Sequence, residues 1–483
     1  MPKFEPQVLT GHWKNFIAGE WIDSKSAIKV TDPSTGKEFA SIACATLDDV
    51  DKAVVLARRS ADSGELTRER PAQRVKVLLR IAENIRALSE EGAKLLVREN
   101  GKSLSDALEE FNVAARYFEY YAGIADKIEG TSIPLGDDYI DFTLYEPVGV
   151  SAQIVPWNFP VDICARSLAP ALAAGNAVIV KSPENTPLAI TLLATACLQA
   201  GLPDGALSML CGIGSEVGAA LVAHPDVDQI VFTGSVPTGQ HILKNAANNA
   251  TPCIMELGGK SAAVVFDDVD KKQFIDSVAW GIFFNAGQVC SAMSRILVQR
   301  SIYEEVIAEV AQLAADVLSE SHDQVELTPV ISEQQRQQVL QMCDQAVGQG
   351  ARLISGGKAL QGRDGFYIEP TVFADVSPGM ELFQQEVFGP VIAITPFDSE
   401  EEAYELANAT DFGLVAGVFT HDLTRTLRAV RALKAGQVFV NEWYAGGIET
   451  PFGGIKMSGF GREKGQEAIY SYVRTKNVAI RAN

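Results

Sequence analysis

Short apolar segments alternate with amphipathic segments between about residues 148 and 266. The apolar segments predict buried strands at 148–155, 176–180, 207–211 and 229–232. The amphipathic segments predict helices at 187–200, 215–223 and 236–248. Short buried strands separated by helices indicate a parallel sheet that is covered on both faces. Right-handed crossovers then give a doubly wound sheet of the kind that binds nucleotides.

A second α/β pattern follows from about residue 258 to residue 450. It predicts strands at 262–266, 295–298, 391–394 and 437–440, and helices at 301–320, 333–349 and 400–409. The N-terminal part is rich in helix, with helices predicted at 48–59, 72–98 and 103–124. The pattern therefore predicts an α/β protein that contains two sheets covered by helices.

Two segments fit neither pattern. Residues 125–147 predict a projecting hairpin, and residues 469–480 alternate between apolar and polar side chains like an exposed strand. Unpaired strands present edges that pair readily with another chain. We therefore expect these two segments to form an oligomer interface.

Composition and charge exclude several classes of protein. A length of 483 residues is enough for two or three domains, and the net charge of −20 argues against nucleic acid or an anionic membrane as partner. The N-terminal residues show no signal peptide, and no apolar run approaches the ~18 residues of a membrane span. The 7 cysteines include no C-x-x-C pair, and the 5 histidines show no metal-ligand spacing. We therefore expect free thiols in a reducing cytoplasm and no metal site.

Candidate covalent chemistry begins at Cys290, which follows a predicted helical run at a glycine-bearing turn. Glu256 precedes it by 34 positions and is followed closely by Gly258 and Gly259. A thiolate can attack a carbonyl carbon, and a carboxylate can then activate water to release the product. Each residue also has a structural explanation, because most cysteines are buried and a glutamate at a strand end is often a solvated cap.

Polar side chains follow the first two strands of the predicted nucleotide-binding sheet. Asn158, between two prolines, can donate a hydrogen bond to a developing oxyanion or hold a rigid turn. Lys181 and Glu184 can bond ribose or phosphate oxygens of a dinucleotide, or lie solvated at the start of a helix. A carboxylate at position 184 disfavours a 2′-phosphate and therefore favours NAD over NADP.

Two further motifs also have both a ligand-binding and a structural interpretation. Ser235, at the N-terminus of a predicted helix, can hold a pyrophosphate, although the usual G-x-G-x-x-G is absent. Glu386 and Phe388 can contact the nicotinamide end of a dinucleotide. Taken alone, Ser235 is more often part of an ordinary loop between strand and helix, and Glu386 with Phe388 is more often a strand entry with a core phenylalanine. The glycine-rich loop at 451–463 is predicted to be structural.

Seven sequence blocks occur together in one order: PWNFP (156–160), KSPE (181–184), FTGS (232–235), ELGGKS (256–261), GQVCSA (287–292), EVFGP (386–390) and PFGGIKMSGFGRE (451–463). In these blocks the chain resembles the NAD(P)-dependent aldehyde dehydrogenases of the hydrolytic type over essentially its full length. The resemblance implies a Rossmann-like cofactor domain at 1–124 and 148–257 and an α/β catalytic domain at 258–457. It also implies a small β oligomerisation arm at 125–147 and 458–483, and a homodimer or homotetramer.

The resemblance also implies roles for individual residues. Cys290 would be the nucleophile, Glu256 the general base, and Asn158 with the backbone N–H of Cys290 the oxyanion hole. NAD is the expected cofactor, with NADP as the weaker alternative. The implied dinucleotide contacts are Ile154, Trp157, Lys181, Glu184, Gly214, Gly234, Ser235, Leu257, Glu386 and Phe388.

The expected substrate is a small aldehyde. Phe159, Phe284 and Phe452 match positions that line the substrate tunnel in this family, and Trp443 and Tyr444 match the loop at its mouth, which favours an apolar or aromatic aldehyde. Arg166 matches the arginine with which some semialdehyde dehydrogenases bind a substrate carboxylate. A semialdehyde is therefore the alternative substrate, unless an i,i+4 pair with Asp162 occupies that arginine.

Three other activities compete with hydrolytic aldehyde oxidation. An acylating dehydrogenase that uses coenzyme A has little need for a base such as Glu256. A cofactor-independent thiol esterase or hydrolase needs a histidine partner for Cys290, and a binding protein on this fold would have lost the catalytic residues. The sequence leaves open the physiological aldehyde, the strictness of NAD over NADP, dimer versus tetramer, and the group that activates the thiol.

Overall fold

The computed structural model describes residues 11–68 and 70–481. The N-terminal residues on which the signal-peptide prediction rests lie outside these ranges. The helices are α1 (Leu47–Ser63), α2 (Pro71–Asn100), α3 (Leu104–Ala122), α4 (Pro160–Ala174), α5 (Thr191–Gln199), α6 (Ala219–Ala223), α7 (Val236–Ala246), α8 (Lys271–Val278), α9 (Tyr303–Leu318), α10 (Glu333–Gly348), α11 (Glu381–Gln384), α12 (Glu400–Asn408) and α13 (Leu423–Ala432).

The strands of the N-terminal half belong to three sheets. They are β1 (His12–Trp13), β2 (Asn15–Ile17), β3 (Glu20–Ile22), β4 (Ala27–Asp32), β5 (Lys37–Ala43), β6 (Ser132–Ile133), β7 (Tyr139–Pro147), β8 (Val150–Ile154), β9 (Ala177–Ser182), β10 (Leu207–Cys211), β11 (Gln229–Thr233) and β12 (Cys253–Glu256). The strands of the C-terminal half are β13 (Ala262–Val265), β14 (Arg295–Gln299), β15 (Arg352–Ser355), β16 (Thr371–Ala374), β17 (Val391–Phe397), β18 (Val415–Phe419), β19 (Gln437–Val440), β20 (Gly459–Phe460) and β21 (Val473–Arg481).

The first large sheet confirms the predicted doubly wound pattern. Its order is β20-β12-β11-β8-β9-β10-β2-β3, and the five strands from β8 to β12 run parallel. Alternate residues of β9 enter different cores: Val178 and Val180 pack with residues of α2 to α5, whereas Ala177 and Ile179 pack with residues of α1, α6 and α7. Helices therefore cover both faces, which explains why these strands are short and largely apolar.

The second large sheet has the order β15-β16-β17-β14-β13-β18-β19 and is parallel except for the β15 edge. Its four predicted strands form with small shifts at their ends. Sequence patterning did not predict β15, β16, β18, α8 or α13, nor the short strands β1 to β5 before the first helix.

A third sheet joins the two segments that fit neither pattern. The predicted hairpin forms from β6 and β7, and β21 pairs antiparallel with β7 from Val473 opposite Pro147 to Arg481 opposite Tyr139. The expectation that these segments remain unpaired was therefore wrong, because each supplies the other's hydrogen-bonding partner. β21 lies at one edge of this sheet.

The first sheet gathers the sequence blocks at one edge. β8, β9, β11 and β12 end at Ile154, Ser182, Thr233 and Glu256. Because carboxyl ends of parallel strands share one edge of a sheet, the residues that follow them converge there, where open α/β sheets bind ligands. Among the described residues, none of the helices combines the length and apolarity that a membrane crossing needs.

Candidate active site

The loop that carries Cys290 has an unusual backbone. A π-helix at Ala279–Phe283 leads into a 3₁₀ turn at Phe284–Gly287, in which Asn285 and Ala286 have left-handed φ angles of 49° and 53°. Such angles are costly for residues with a Cβ and persist only where surrounding structure enforces them. The Gln288 amide supplies part of that enforcement, because it donates to the Asn285 carbonyl at 3.0 Å and accepts from the Ile331 N–H at 2.8 Å.

The Cys290 thiol is half-buried and lines two cavities that meet at this residue. Burial raises the pKa of the Cys290 thiol to about 12, and the charges of Glu386 and Glu256 act in the same direction while Arg166 opposes them. The thiol is therefore protonated at neutral pH before any ligand binds. A base or a cation must act before Cys290 can attack a carbonyl carbon.

Asn158 is buried beside the same loop and lines both cavities. Its Nδ2 donates to the Gln288 carbonyl at 2.9 Å, which leaves the second N–H of the amide available. The backbone carbonyl oxygen of Asn158 accepts from Lys102 Nζ at 3.1 Å and from Asn285 Nδ2 at 3.3 Å. The amide is thus fixed next to Cys290 before substrate arrives.

Glu256 ends β12 and is 2% exposed, and neither of its carboxyl oxygens has a hydrogen-bond partner in the structure. Its Oε1 lies 2.7 Å from the position that a Cβ on Gly453 would occupy, so the loop at 451–463 leaves room for this carboxyl. Burial raises the pKa of Glu256 well above its ordinary value, and repulsion from Glu463 adds to the effect. An orphaned buried carboxyl is costly to the fold, and such groups are concentrated at functional sites.

Arg166 forms a buried ion pair that the sequence did not predict, and its positive charge interacts with Glu256. Its guanidinium pairs with the Glu463 carboxylate and donates to Thr233 Oγ1 at 3.2 Å. Glu463 also accepts from Ser167 Oγ at 2.5 Å. The predicted pairing of Arg166 with Asp162 was therefore wrong, because the C-terminal loop brings a better-placed carboxylate to the arginine. Glu463 is the last residue of the glycine-rich block at 451–463, for which the sequence predicted only a structural role. Its carboxylate is the sequence signal that could have indicated a partner for Arg166.

A cleft of two adjoining cavities, of about 560 and 650 Å³, runs from Cys290 to Glu184. The cavities share lining residues at 156–157 and 233–235. Every residue expected to contact the dinucleotide lines one of them: Ile154, Trp157, Lys181, Glu184, Gly214, Gly234, Ser235, Leu257, Glu386 and Phe388.

The end of the cleft far from Cys290 fits the adenosine ribose of a dinucleotide. Lys181 Nζ and Glu184 Oε2 lie 2.7 Å apart, and Glu184 Oε1 accepts from the Gly214 N–H at 2.7 Å. A Cβ on Gly214 would lie 3.3 Å from that oxygen, so glycine permits the close approach of backbone to carboxylate. The donor and acceptor set of this end suits two vicinal hydroxyls.

The end near Cys290 is built around Glu386. Its Oε1 accepts from the Gly259 N–H at 2.9 Å, and a Cβ on Gly258 would clash with its carboxylate. Burial raises the pKa of Glu386 to about 7. Phe388, with a left-handed φ of 54°, packs edge-on against Trp157 at 5.3 Å between ring centroids. The residues present therefore fit an elongated dinucleotide with its reactive end at Cys290.

On the other side of Cys290 lies a cavity of about 620 Å³ with aromatic walls. The residues expected to contact the substrate, Phe159, Arg166, Phe284 and Phe452, all line it. Phe284 stacks on Phe159 at 5.7 Å and packs against Trp280 at 5.5 Å between ring centroids. Sequence reasoning missed the aromatic residues Tyr117, Trp280 and Phe439 in this lining.

The two residues expected in the loop at the tunnel mouth have different positions. Tyr444 lines the aromatic cavity. Trp443 is buried and donates its indole N–H to the Ser291 carbonyl at 3.0 Å. Trp443 therefore supports the loop of Cys290, whereas Tyr444 contributes to the cavity wall.

Comparison with known proteins agrees with this geometry. The model of the aldehyde dehydrogenase family matches residues 21–478. Aldehyde dehydrogenase family 2 member B4, mitochondrial, of Arabidopsis thaliana is 40% identical over 484 residues, which cover 99% of this chain and 90% of that protein.

Solved structures give the same result. A putative aldehyde dehydrogenase from Burkholderia cenocepacia has a TM-score of 0.92 at 42% identity, with 97% of this chain and 100% of that chain covered. The NAD+ complex of an aldehyde dehydrogenase from Bacillus cereus has a TM-score of 0.95 at 36% identity, with 98% and 97% covered. The chain therefore belongs to the aldehyde dehydrogenase family and is an enzyme that oxidises an aldehyde to the carboxylic acid with a nicotinamide cofactor.

Proposed function

We propose that this enzyme oxidises an apolar or aromatic aldehyde, prefers NAD, and forms a covalent intermediate on Cys290. The observation that carries the proposal is the position of the Cys290 thiol, where the aromatic cavity meets the dinucleotide cleft. Aldehyde and cofactor approach one sulfur atom from opposite sides in this arrangement. Productive geometry is thus prepared before either ligand binds.

The first step transfers the proton of Cys290 and forms a bond between its sulfur and the carbonyl carbon. Glu256 lines the cleft beside Cys290 with both oxygens unpartnered, so its carboxylate form can accept this proton directly or through water. Burial raises the pKa of Glu256 above its ordinary value, which makes its carboxylate a stronger base than that of an exposed glutamate. The oxyanion of the resulting thiohemiacetal accepts from Asn158 Nδ2 and from the backbone N–H of Cys290.

A dinucleotide bound in the cleft supplies the acceptor for the hydride that leaves the thiohemiacetal carbon. Loss of the hydride leaves a thioester on Cys290. Glu256 releases to solvent the proton that it took from Cys290, and then takes a proton from water while the water oxygen attacks the thioester carbon. Breakage of the carbon–sulfur bond releases the acid and a thiolate, which regains a proton from Glu256 and becomes the thiol again.

The preference for NAD rests on Glu184. Lys181 and the Gly214 N–H hold this carboxylate at the adenosine end of the cleft. A ribose with two free hydroxyls donates to the carboxylate, whereas a 2′-phosphate is repelled by it.

The alternative activities have less support. Arg166 is occupied by Glu463 and Thr233, which weakens the case for a semialdehyde bound through this arginine. A buried, unpartnered Glu256 favours a hydrolytic route over transfer to coenzyme A. A cofactor-independent hydrolase remains the contrasting hypothesis, and aldehyde-dependent reduction of the cofactor distinguishes it.

We assign residues 1–124 and 148–257 to a cofactor domain, residues 258–457 to a catalytic domain, and residues 125–147 and 458–483 to an oligomerisation arm. Support for the arm comes from its exposed apolar side chains, which include Tyr139, Ile140, Leu144 and Ile480. Apolar patches of this kind mark protein interfaces. The proposed assembly is a homodimer or homotetramer, and the proposed location is the cytoplasm.

The direct test is the absorbance of reduced nicotinamide when purified enzyme receives NAD with benzaldehyde, hexanal or succinate semialdehyde. We expect turnover without coenzyme A and a higher kcat/KM for benzaldehyde or hexanal than for the semialdehyde. A preference for succinate semialdehyde would overturn the proposed substrate class. Absence of cofactor reduction with every aldehyde would overturn the proposed activity.

A further inference from the structure

The aromatic cavity contains a lysine that the mechanism does not use. Lys464 lines this cavity together with Cys290 and has a left-handed φ of 60°. Backbone bonds on both sides fix its position: Glu463 and Phe452 exchange N–H···O bonds at 2.7 and 2.8 Å, and the Gly465 N–H donates to the Ile448 carbonyl at 2.7 Å. Strained backbone conformations that the surrounding structure enforces are concentrated at functional sites. The backbone at Lys464 therefore supports a functional role for its side chain in the cavity.

Lys464 has no ion-pair partner among the described residues. Its ammonium lies 5.6 Å from the centroid of the Phe452 ring, and Arg166 on the same wall is already paired with Glu463. Burial lowers the pKa of Lys464, while the negative charges of Asp162 and Glu463 favour its charged form. The ammonium therefore retains hydrogen-bonding capacity toward a ligand in the cavity.

Asp162 brings a complementary group to the same cavity. It lies in the first turn of α4 and lines the cavity, and its Oδ1 is buried without a hydrogen-bond partner. The buried cation Lys102 pairs with Glu110, which also accepts from the backbone N–H groups of 161 and 162, and among the described residues no cation forms an ion pair with Asp162. The cavity thus holds one unpaired acceptor and one unpaired donor that interact through their charges without forming an ion pair with each other.

We propose that Lys464 and Asp162 form a polar subsite that selects a hydroxylated aromatic aldehyde. This inference rests on the proposed oxidation of an aromatic aldehyde at Cys290. A phenolic hydroxyl accepts a hydrogen bond from the Lys464 ammonium and donates one to the Asp162 carboxylate, while the ring packs between the aromatic walls. Both unpaired groups are then satisfied by a single substituent.

Other substituents satisfy only one of the two groups. A substrate carboxylate pairs with Lys464 but is repelled by Asp162 and by Asp106 and Glu109, which also line the cavity. A quaternary ammonium group is attracted by Asp162, Asp106 and Glu109, but it has no lone pair to accept a hydrogen bond, so it leaves Lys464 without a partner. A plain alkyl chain or unsubstituted ring leaves both groups without a partner.

The test compares kcat/KM of the full chain with NAD for benzaldehyde and its 2-, 3- and 4-hydroxy derivatives. We expect at least one hydroxy isomer to exceed benzaldehyde by about tenfold, the effect of one hydrogen bond to a charged group. Lys464→Met and Asp162→Asn should each bring that ratio toward one. Lys272→Met, which removes an exposed lysine on α8 that pairs with Asp276, is the matched control and should leave the ratio unchanged.

A binding measurement separates a lost contact from a misfolded variant. Acetophenones cannot be oxidised, so 2-, 3- and 4-hydroxyacetophenone should inhibit benzaldehyde oxidation more strongly than acetophenone in the unmodified enzyme, in the same isomer order as the aldehydes. In Lys464→Met this advantage should disappear.

The outcomes distinguish the two proposals. If benzaldehyde is oxidised and hydroxylation gives no advantage, or the advantage survives both substitutions, the polar subsite is refuted. A preference for 4-carboxybenzaldehyde over every hydroxy isomer also refutes it, because the subsite would then recognise an anion. If no aldehyde reduces the cofactor, the proposed oxidation itself fails.

Discussion

At the scale of single residues, burial sets the protonation of the two proposed catalytic groups. The half-buried Cys290 thiol lies near the charges of Glu386 and Glu256, and the buried Glu256 carboxyl lies near the charge of Glu463, so the neutral form of each group is favoured. In the proposed mechanism each group therefore has to lose a proton before it acts as nucleophile or base.

The raised pKa of Cys290 predicts its reactivity in the absence of ligands. A thiol with a pKa of about 12 has few thiolates at pH 7, and the thiolate fraction rises about tenfold for each pH unit. Alkylation of Cys290 by iodoacetamide, located by peptide mass, should therefore accelerate throughout pH 7 to 10, with Cys290→Ser as the control. A plateau below pH 8 would show that the free enzyme already holds a thiolate.

The carboxylate of Glu184 predicts the coenzyme preference. Glu184→Ala removes the repulsion of a 2′-phosphate and the acceptor for the ribose hydroxyls, so the ratio of kcat/KM for NADP to that for NAD should rise by tenfold or more, in line with the roughly 1.5–3 kcal/mol of a hydrogen bond to a charged group. Glu216→Ala, at an exposed glutamate in the π-helical turn Gly214–Gly218, is the control. An unchanged ratio in Glu184→Ala would remove the NAD assignment.

At the scale of helices and strands, sequence patterning predicted what depends on local periodicity. The parallel strands of the first sheet are short and largely apolar because both faces are buried. Of the helices between them, α7 buries one face only, whereas α4 is buried almost throughout. The short strands β1 to β5 and the pairing of β21 with β7 depend on partners far away in sequence, which periodicity does not reveal.

The same distinction holds within the site. Motif blocks identified Cys290 and Glu256, but the ion pair of Arg166 with Glu463 joins residues nearly 300 positions apart. Lys464 is the first residue beyond the last recognised block. The role that we propose for it depends on the fold, which places it in the aromatic cavity without an ion-pair partner among the described residues.

The loop before Cys290 provides a prediction at this scale. Gly287 has a φ of 70°, and a Cβ there would clash with the Gly389 carbonyl, so Gly287→Ala must displace the loop and Cys290 with it. A displacement of about 1 Å can cost about 100-fold in rate, and we expect a loss of kcat of that size with NAD affinity largely retained.

Gly362→Ala separates this displacement from backbone strain. Gly362 has a φ of 77° and open space where a Cβ would lie, so this variant carries the same strain without the clash. It should keep normal kcat. Equal losses of kcat in the two variants would show that backbone strain lowers the rate, and not the displacement of Cys290 by the clash at Gly287.

At the scale of the whole molecule, the third sheet is the proposed oligomer interface. Ile140 and Ile480 lie opposite each other on β7 and β21, and both are exposed. The double substitution Ile140→Lys and Ile480→Lys should convert the proposed homodimer or homotetramer to a smaller species, as measured by light scattering after size exclusion. Leu423→Lys, at an exposed leucine on α13, should leave the mass unchanged. A monomeric unmodified enzyme would contradict the proposed arm.

The most direct measurement of the central claim is the intact mass of Glu256→Gln after incubation with NAD and benzaldehyde. Without the carboxylate that activates water, hydrolysis slows and the benzoyl thioester should accumulate. We predict one added benzoyl group per chain, located on Cys290 by peptide analysis and absent from the Cys290→Ser/Glu256→Gln double variant. A benzoyl group on another residue, or none while the unmodified enzyme still oxidises benzaldehyde, would contradict the assigned roles of Cys290 and Glu256.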